Sequence, residues 1–260
     1  MVKKIGLLFL FLSFQLHAGS MGEVISSDYS WFAAIGTGFS WTEKPGIYNP
    51  DPTQWDPAIE GYNSRLGDRG FYSFAIGAKI IEFIDIEMSY LNHEVFDYQK
   101  FQTGEQSGQT AFTGNARTRF FQLDNRVLLV NGFLYPYHGL TSLKVNIKPF
   151  VSGGIGYSHN QVRKFYTVGS TIIANTSVGS TSSIGSAINT NSFAWQGSTG
   201  LTINPIQSHL GINIGYRYFN GGKFNTSSTL YTNSNGIINT KNWRGYLKAN
   251  QFFLEILYWI

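Results

Sequence analysis

The chain has 260 residues, no cysteine and a formal charge of +4, two units of which come from Lys3 and Lys4. So small a surplus argues against a nucleic-acid partner, and the missing cysteines exclude disulfides, thiol chemistry and a lipid-anchored Cys. Aromatic residues make up 16% of the chain and charged residues only 13%, well below the roughly 25% of ordinary soluble domains.

In chain order, Lys3 and Lys4 precede an apolar run over 5–16 that closes on Leu16-His17-Ala18. A basic start, a short apolar segment and a small residue form the layout of a secretory signal peptide, and the run is too short to span a bilayer. Cleavage is expected after Ala18, leaving 19–260 as one domain. Beyond Ala18 nothing approaches the roughly 18–20 consecutive apolar residues of a transmembrane helix, which excludes a helical membrane protein.

From Trp31 onward the chain alternates with period two, the signature of strands with two different faces. Over 31–41, Trp31, Ala33, Ile35, Phe39 and Trp41 share one face, and the small residues Gly36, Gly38 and Ser40 the other. A second strand sets Tyr72, Phe74, Ile76 and Ile80 against Ser73, Ala75, Gly77 and Lys79. A third sets Ile84, Ile86, Met88 and Tyr90 against Asp85, Glu87 and Ser89. The fourth, over 119–133, is less regular. Its odd face carries Phe121, Leu123, Val127 and Leu129 but also Asn125 and Asn131, and this face is expected to point outward, because the alternative turns Asp124 and Arg126 toward lipid. Arg at the midplane costs about 2–4 kcal/mol.

A fifth strand over 145–159 has Ile147, Val151, Ile155 and Tyr157 outward, with Lys148, Phe150, Ser152, Gly154 and Gly156 inward. A sixth, from Phe193, sets Trp195, Thr199 and Leu201 against Gln196, Ser198 and Gly200. The seventh alternates Leu210, Ile212, Ile214 and Tyr216 with Gly211, Asn213, Gly215 and Arg217. The last closes the chain with Phe252, Leu254, Ile256, Tyr258 and Ile260 against Gln251, Phe253, Glu255 and Trp259. Short turns near 81–83, 136–141 and 204–208 alternate with long polar loops at 42–69, 97–118, 160–192 and 221–242. That asymmetry belongs to outer-membrane barrels, with short periplasmic turns and long outer loops. The expected fold is therefore all-β: an antiparallel, up-and-down transmembrane β-barrel of about eight strands. The count becomes ten if the Ser/Thr/Asn/Gly-rich stretch 167–192 adds two strands within the membrane.

The segment Pro149-Phe150-Val151-Ser152-Gly153-Gly154-Ile155-Gly156-Tyr157 and the closing strand Phe253-Leu254-Glu255-Ile256-Leu257-Tyr258-Trp259-Ile260 resemble the opacity-protein-like (OmpA-type) family of small bacterial outer-membrane barrels. The resemblance implies an eight-stranded barrel in the cell outer membrane, recognised by the barrel assembly machinery through its last strand, with variable loops serving roles such as adhesion. Ile260 departs from the Phe or Trp that commonly ends that strand. The resemblance transfers no catalytic residue.

Eight charged residues are assigned to the lumen: Lys79, Asp85, Glu87, Asp124, Arg126, Lys148, Arg217 and Glu255. They form either an ion path or a plug, and the plug is preferred because an eight-stranded barrel is just wide enough for its side chains to fill. Arg217 and Glu255 are expected to pair. An enzyme is not expected: Ser158 and His159 point to opposite faces, and His138 and His209 fall in periplasmic turns. No cofactor is called for and no metal site has ligand spacing; Asp51, Asp56 and Glu60 read as a solvated loop. Trp55 and Tyr62 in the first long loop are candidate ligand contacts. Expected partners are outer-membrane lipid and lipopolysaccharide, the assembly machinery, and a host-surface or envelope ligand. The preferred function is a surface scaffold acting through its loops, with a narrow pore or carrier for small solutes as the alternative.

Overall fold

The computed structural model describes residues 30–47, 62–63, 65–103, 114–136, 139–142, 145–173, 176–206, 208–227, 229–233, 236–240 and 242–260. Among them are fourteen strand segments in one antiparallel sheet: β1 (Trp31–Thr42), β2 (Tyr62–Asn63), β3 (Asp68–Ile81), β4 (Ile84–His93), β5 (Phe96–Thr103), β6 (Gly114–Leu134), β7 (Leu140–Ser142), β8 (Val145–Ile173), β9 (Thr176–Gly185), β10 (Ile188–Pro205), β11 (Leu210–Asn225), β12 (Thr229–Asn233), β13 (Gly236–Thr240) and β14 (Arg244–Trp259). Eight of them close a ring in the order β1-β3-β4-β6-β8-β10-β11-β14, with β14 returning to β1 from Phe32↔Trp259 to Thr42↔Ala249. Closure leaves the ring no unpaired edge, a condition lipid imposes on any strand that crosses it.

The outer face of the ring is apolar and uncovered. Ile155 is 61% exposed, Ile35 58%, and Phe74 and Ile76 54% each, a continuous display that monomeric soluble proteins do not make. Inward residues alternate with them and are buried, among them Phe32, Phe71, Phe150, Arg217, Phe253 and Glu255. An apolar exterior around a filled, partly polar interior is the membrane-barrel arrangement.

Two glycine roles shape the wall. Along the lumen, an aromatic side chain of a neighbouring strand lies over a glycine: Phe150 over Gly200, Phe253 over Gly215 and Phe32 over Gly77. Small residues on one strand thus make room for large ones on the next, and the lumen fills without widening. At Gly222 the chain adopts φ +76 in a bulge that shifts the β11/β14 register between Asn220 and Gly222, a conformation glycine reaches at little cost.

Two strands of the ring far outgrow the membrane. A crossing needs about 9–11 residues, whereas β8 has 29 and β6 has 21. Their upper parts continue with β5 and β9 into an open outer sheet in the order β13-β12-β9-β8-β6-β5-β2. Much of the long loops at 97–118 and 160–192 is therefore strand. The 167–192 stretch adds no strand to the ring: β9 runs into β10 along the same edge of β8, with Phe165↔Gly185 followed by Val162↔Ile188. Thr, Val and Ile, frequent from Thr167 to Ile184, favour extended backbone. A bulge opposite Phe121, where Lys164 takes φ 51, adjusts the register of β6 and β8 just below this extension.

Candidate functional site

The lumen is closed at two heights. The lower closure begins at Arg217 on β11, whose Nη2 lies 3.4 Å from Glu255 Oε1 on β14. Its guanidinium sits over the rings of Phe253 at 4.5 Å and Phe71 at 5.5 Å, so charge, ring faces and a carboxylate meet in one layer. Opposite, Asn131 Nδ2 donates to Glu87 Oε1 at 2.9 Å and to Ser89 Oγ at 2.8 Å, and Gln196 Nε2 donates to Asn131 Oδ1 at 2.7 Å. This chain runs from β4 through β6 to β10 across β8. It passes because Gly154 occupies the β8 position, where a Cβ would collide with Asn131 Oδ1. Thr202 Oγ1 donates to Asn213 Oδ1 at 2.7 Å, and Ser152 and Ser198 share a hydrogen bond.

Above this layer His93 lies among Phe71, Phe96 and Phe219 at centroid distances of 5.1–5.6 Å, its Nε2 2.7 Å from the Gln251 amide. Gln251 also donates to Ser40 at 2.9 Å. Asn125 donates to Ser158 Oγ and Asn160 Oδ1 at 2.8 and 2.6 Å.

The upper closure is a hydrophobic core. Tyr98 and Phe121 stack at 4.6 Å, Phe121 meets Phe224 at 5.6 Å, and Phe165 packs edge-on against Trp243 at 5.1 Å. Arg119 lies over the Trp243 ring at 4.9 Å. Leu66, Leu123, Val162 and Leu247 are fully buried around them. Beside Arg119, burial, then Arg119 and Lys44, push the Lys100 ammonium down to about 8.

Of the eight charged residues assigned to the lumen, six are on inward-facing positions. Arg217 and Glu255 are brought together. Lys79 stands opposite Asp85 in the β3/β4 register, at the end of the ring away from the outer sheet. Glu87 joins the Asn131 chain.

Asp124 and Arg126 are corrections, because β6 faces the opposite way from the expectation. Its odd residues point inward and its even residues outward, so Arg126 is exposed on the outer wall and Asp124 lies beneath Arg126 and Arg163 at 3.6 and 3.4 Å. The physical reason is twofold. Asn125 and Asn131 find several lumen partners, and Arg126 pairs in register with Asn92 and His159 above the apolar belt, where lipid exacts no penalty. The missed lumen residues Asn125 and Asn131 were themselves the signal: two amides on one face mark the polar side.

Ser158 is buried in the lumen, while His159 faces outward and bonds Asn191 at 2.8 Å. Tyr62 lies in β2, paired in register with Phe101. Trp55, His138, the acidic residues Asp51, Asp56 and Glu60, and the expected cleavage point after Ala18 lie outside the described residues.

No family model matches this sequence, and no curated protein matches it. Solved structures found similar to it include the outer membrane protein OprG from Pseudomonas aeruginosa, at 13% identity and TM-score 0.42, covering 90% of this chain and 99% of that one. Neisserial surface protein A is 11% identical with TM-score 0.37, covering 88% and 96%. Ail, the attachment invasion locus protein of Yersinia pestis, is 8% identical with TM-score 0.36, covering 89% and 98%. The chain is similar to these small outer-membrane β-barrel proteins, and its own strand pairing gives it the closed eight-stranded ring.

Proposed function

We propose that the chain is an integral outer-membrane barrel that serves as a closed scaffold for an exposed outer sheet, and that this sheet and its loops mediate adhesion or contacts within the envelope. The observation that carries the reading is the contrast between the two ends of the lumen and the wall above it. Among the described residues buried inward side chains run from Phe32 to Phe121, while β6 and β8 rise well beyond any bilayer. A protein selected for solute passage gains nothing from an apolar core across its outer mouth. A raised, open sheet presents backbone edges and side chains that a bare barrel lacks.

On this reading the sequence at 1–18 directs export, the last strand is read by the assembly machinery, and the apolar belt sits in the outer membrane. The test replaces residues 166–184 by an Asn-Gly turn, which the Phe165↔Gly185 pairing leaves room for. Bacteria displaying the full chain should adhere to an epithelial monolayer severalfold better than those displaying the shortened one. Equal adherence, with both barrels folded by heat-modifiable gel mobility, contradicts the reading.

A further inference from the structure

On the outer face of β4, β6, β8 and β10, the top of the apolar belt is a row of four side chains joined in register: Tyr90, Leu128, Tyr157 and Phe193. The next row up on the same face is wholly polar, with Asn92, Arg126, His159 and Asn191. Successive rows are about 6.7 Å apart along a strand, or roughly 5 Å in height at a 45° tilt. The polar row therefore lies roughly 5 Å above the aromatic rim and Asp124 one row higher, while Arg163 starts a further row up and reaches back to Asp124 with its side chain, which brings both guanidiniums to about headgroup depth.

Two guanidiniums converge there. Arg126 Nη2 and Arg163 Nη2 both approach the same oxygen, Asp124 Oδ2, at 3.6 and 3.4 Å. Sharing one oxygen puts the two nitrogens within about 7 Å of each other, a spacing at which one phosphate can bridge both. Both arginine side chains keep outer surface, 55% and 38% exposed, while Asp124 is only 12% exposed beneath them. The carboxylate thus orients the pair from below, while Arg163 Nε is buried and both side chains keep exposed surface. The neighbouring Arg69 is committed elsewhere, to Asp97 at 2.6 Å and to the Val95 carbonyl at 2.7 Å. Gln122 bonds the second Asp97 oxygen at 2.9 Å, and these two partners outweigh the effect of burial and hold that carboxyl below its usual value.

We infer that Arg126 and Arg163 form a binding site for the phosphate of a glycolipid in the outer leaflet, with Asp124 as positioning residue. The inference rests on the outer-membrane reading above. The lipid is favoured over a soluble anion because the site faces sideways, directly above the belt, where acyl chains on the belt hold the headgroup in reach.

The test is native mass spectrometry of the folded full-length barrel titrated with a bis-phosphorylated glucosamine-disaccharide lipid, and separately with the same lipid after dephosphorylation. The parent should prefer the phosphorylated lipid by about tenfold or more, and an Arg126→Ala/Arg163→Ala variant should lose that preference. Arg126→Glu serves as a second variant and should weaken binding further by repulsion. Equal binding of the two lipids by the parent, or an undiminished preference in both variants, overturns the site. Either result with the protein still recovered in the outer-membrane fraction leaves the membrane reading intact, whereas recovery elsewhere overturns that reading itself.

Discussion

The membrane-spanning ring and the outer sheet share strands and a largely apolar inward face, yet differ in what they turn outward and in how much polar side chain the interior holds. On β14, Phe252, Leu254 and Ile256 face out and Gln251 and Glu255 face in; a few residues nearer the outer end, Lys248 faces out and Leu247 and Ala249 face in. On β6, Leu128, Val130 and Leu134 face out with Val127, Leu129, Asn131 and Phe133 inside, and higher up Gln122 faces out with Phe121 and Leu123 inside. The surrounding medium makes the difference. Lipid gives no reward for hiding apolar groups from it and demands that polar groups be paired inside; water restores the ordinary hydrophobic drive to bury them. One continuous strand thus reads as a membrane strand below Arg126 and as a soluble strand above it.

Each way of breaking this comparison has an expected size. The largest belongs to the water-built core: Phe121→Ala should cost about 3–5 kcal/mol by urea unfolding in lipid vesicles, and a loss under about 1 kcal/mol would mean the outer chamber is not a packed core. A sharper test uses two valines of β8 that are almost equally exposed, Val151 at 46% and Val168 at 49%. Val151→Arg should cost about 2–4 kcal/mol because it faces the middle of the belt, whereas Val168→Arg should stay within about 0.5 kcal/mol because it faces water. Equal costs would erase the boundary between the two regions. Between these in size, Gly156→Ala should cost about 1–3 kcal/mol, since a Cβ there meets the Leu128 carbonyl and not a side chain that can swing away. An unchanged unfolding midpoint would show that the wall can yield at that point.

The ring was legible in the sequence wherever one face was uniformly apolar. The alternations of 210–218 and 252–260 place their residues on the faces the structure shows. Strand β6 was misread because its upper half lies outside the membrane, so a single rule for the whole segment turned Arg126 inward and Asn131 outward. The outer sheet was illegible for a related reason. Above the belt neither face of β8 and β9 is uniformly apolar, and Thr, Ser and Gly between 167 and 185 look like loop composition although Thr and Val favour strands. In the lumen, the Arg217–Glu255 pairing could be reasoned from strand position. The Glu87–Asn131–Gln196 chain could not, because it joins residues far apart in sequence and depends on the gap that Gly154 leaves.

The most direct test of a closed scaffold is planar-bilayer conductance of the refolded chain, measured beside an Arg217→Ala variant that removes the bridge between Phe71, Phe253 and Glu255. Two independent closures predict silence from both proteins, because the aromatic core of Phe121, Phe165 and Phe224 still seals the outer mouth when the lower layer is opened. Steady conductance by the parent chain would contradict the closed lumen and put a pore in its place.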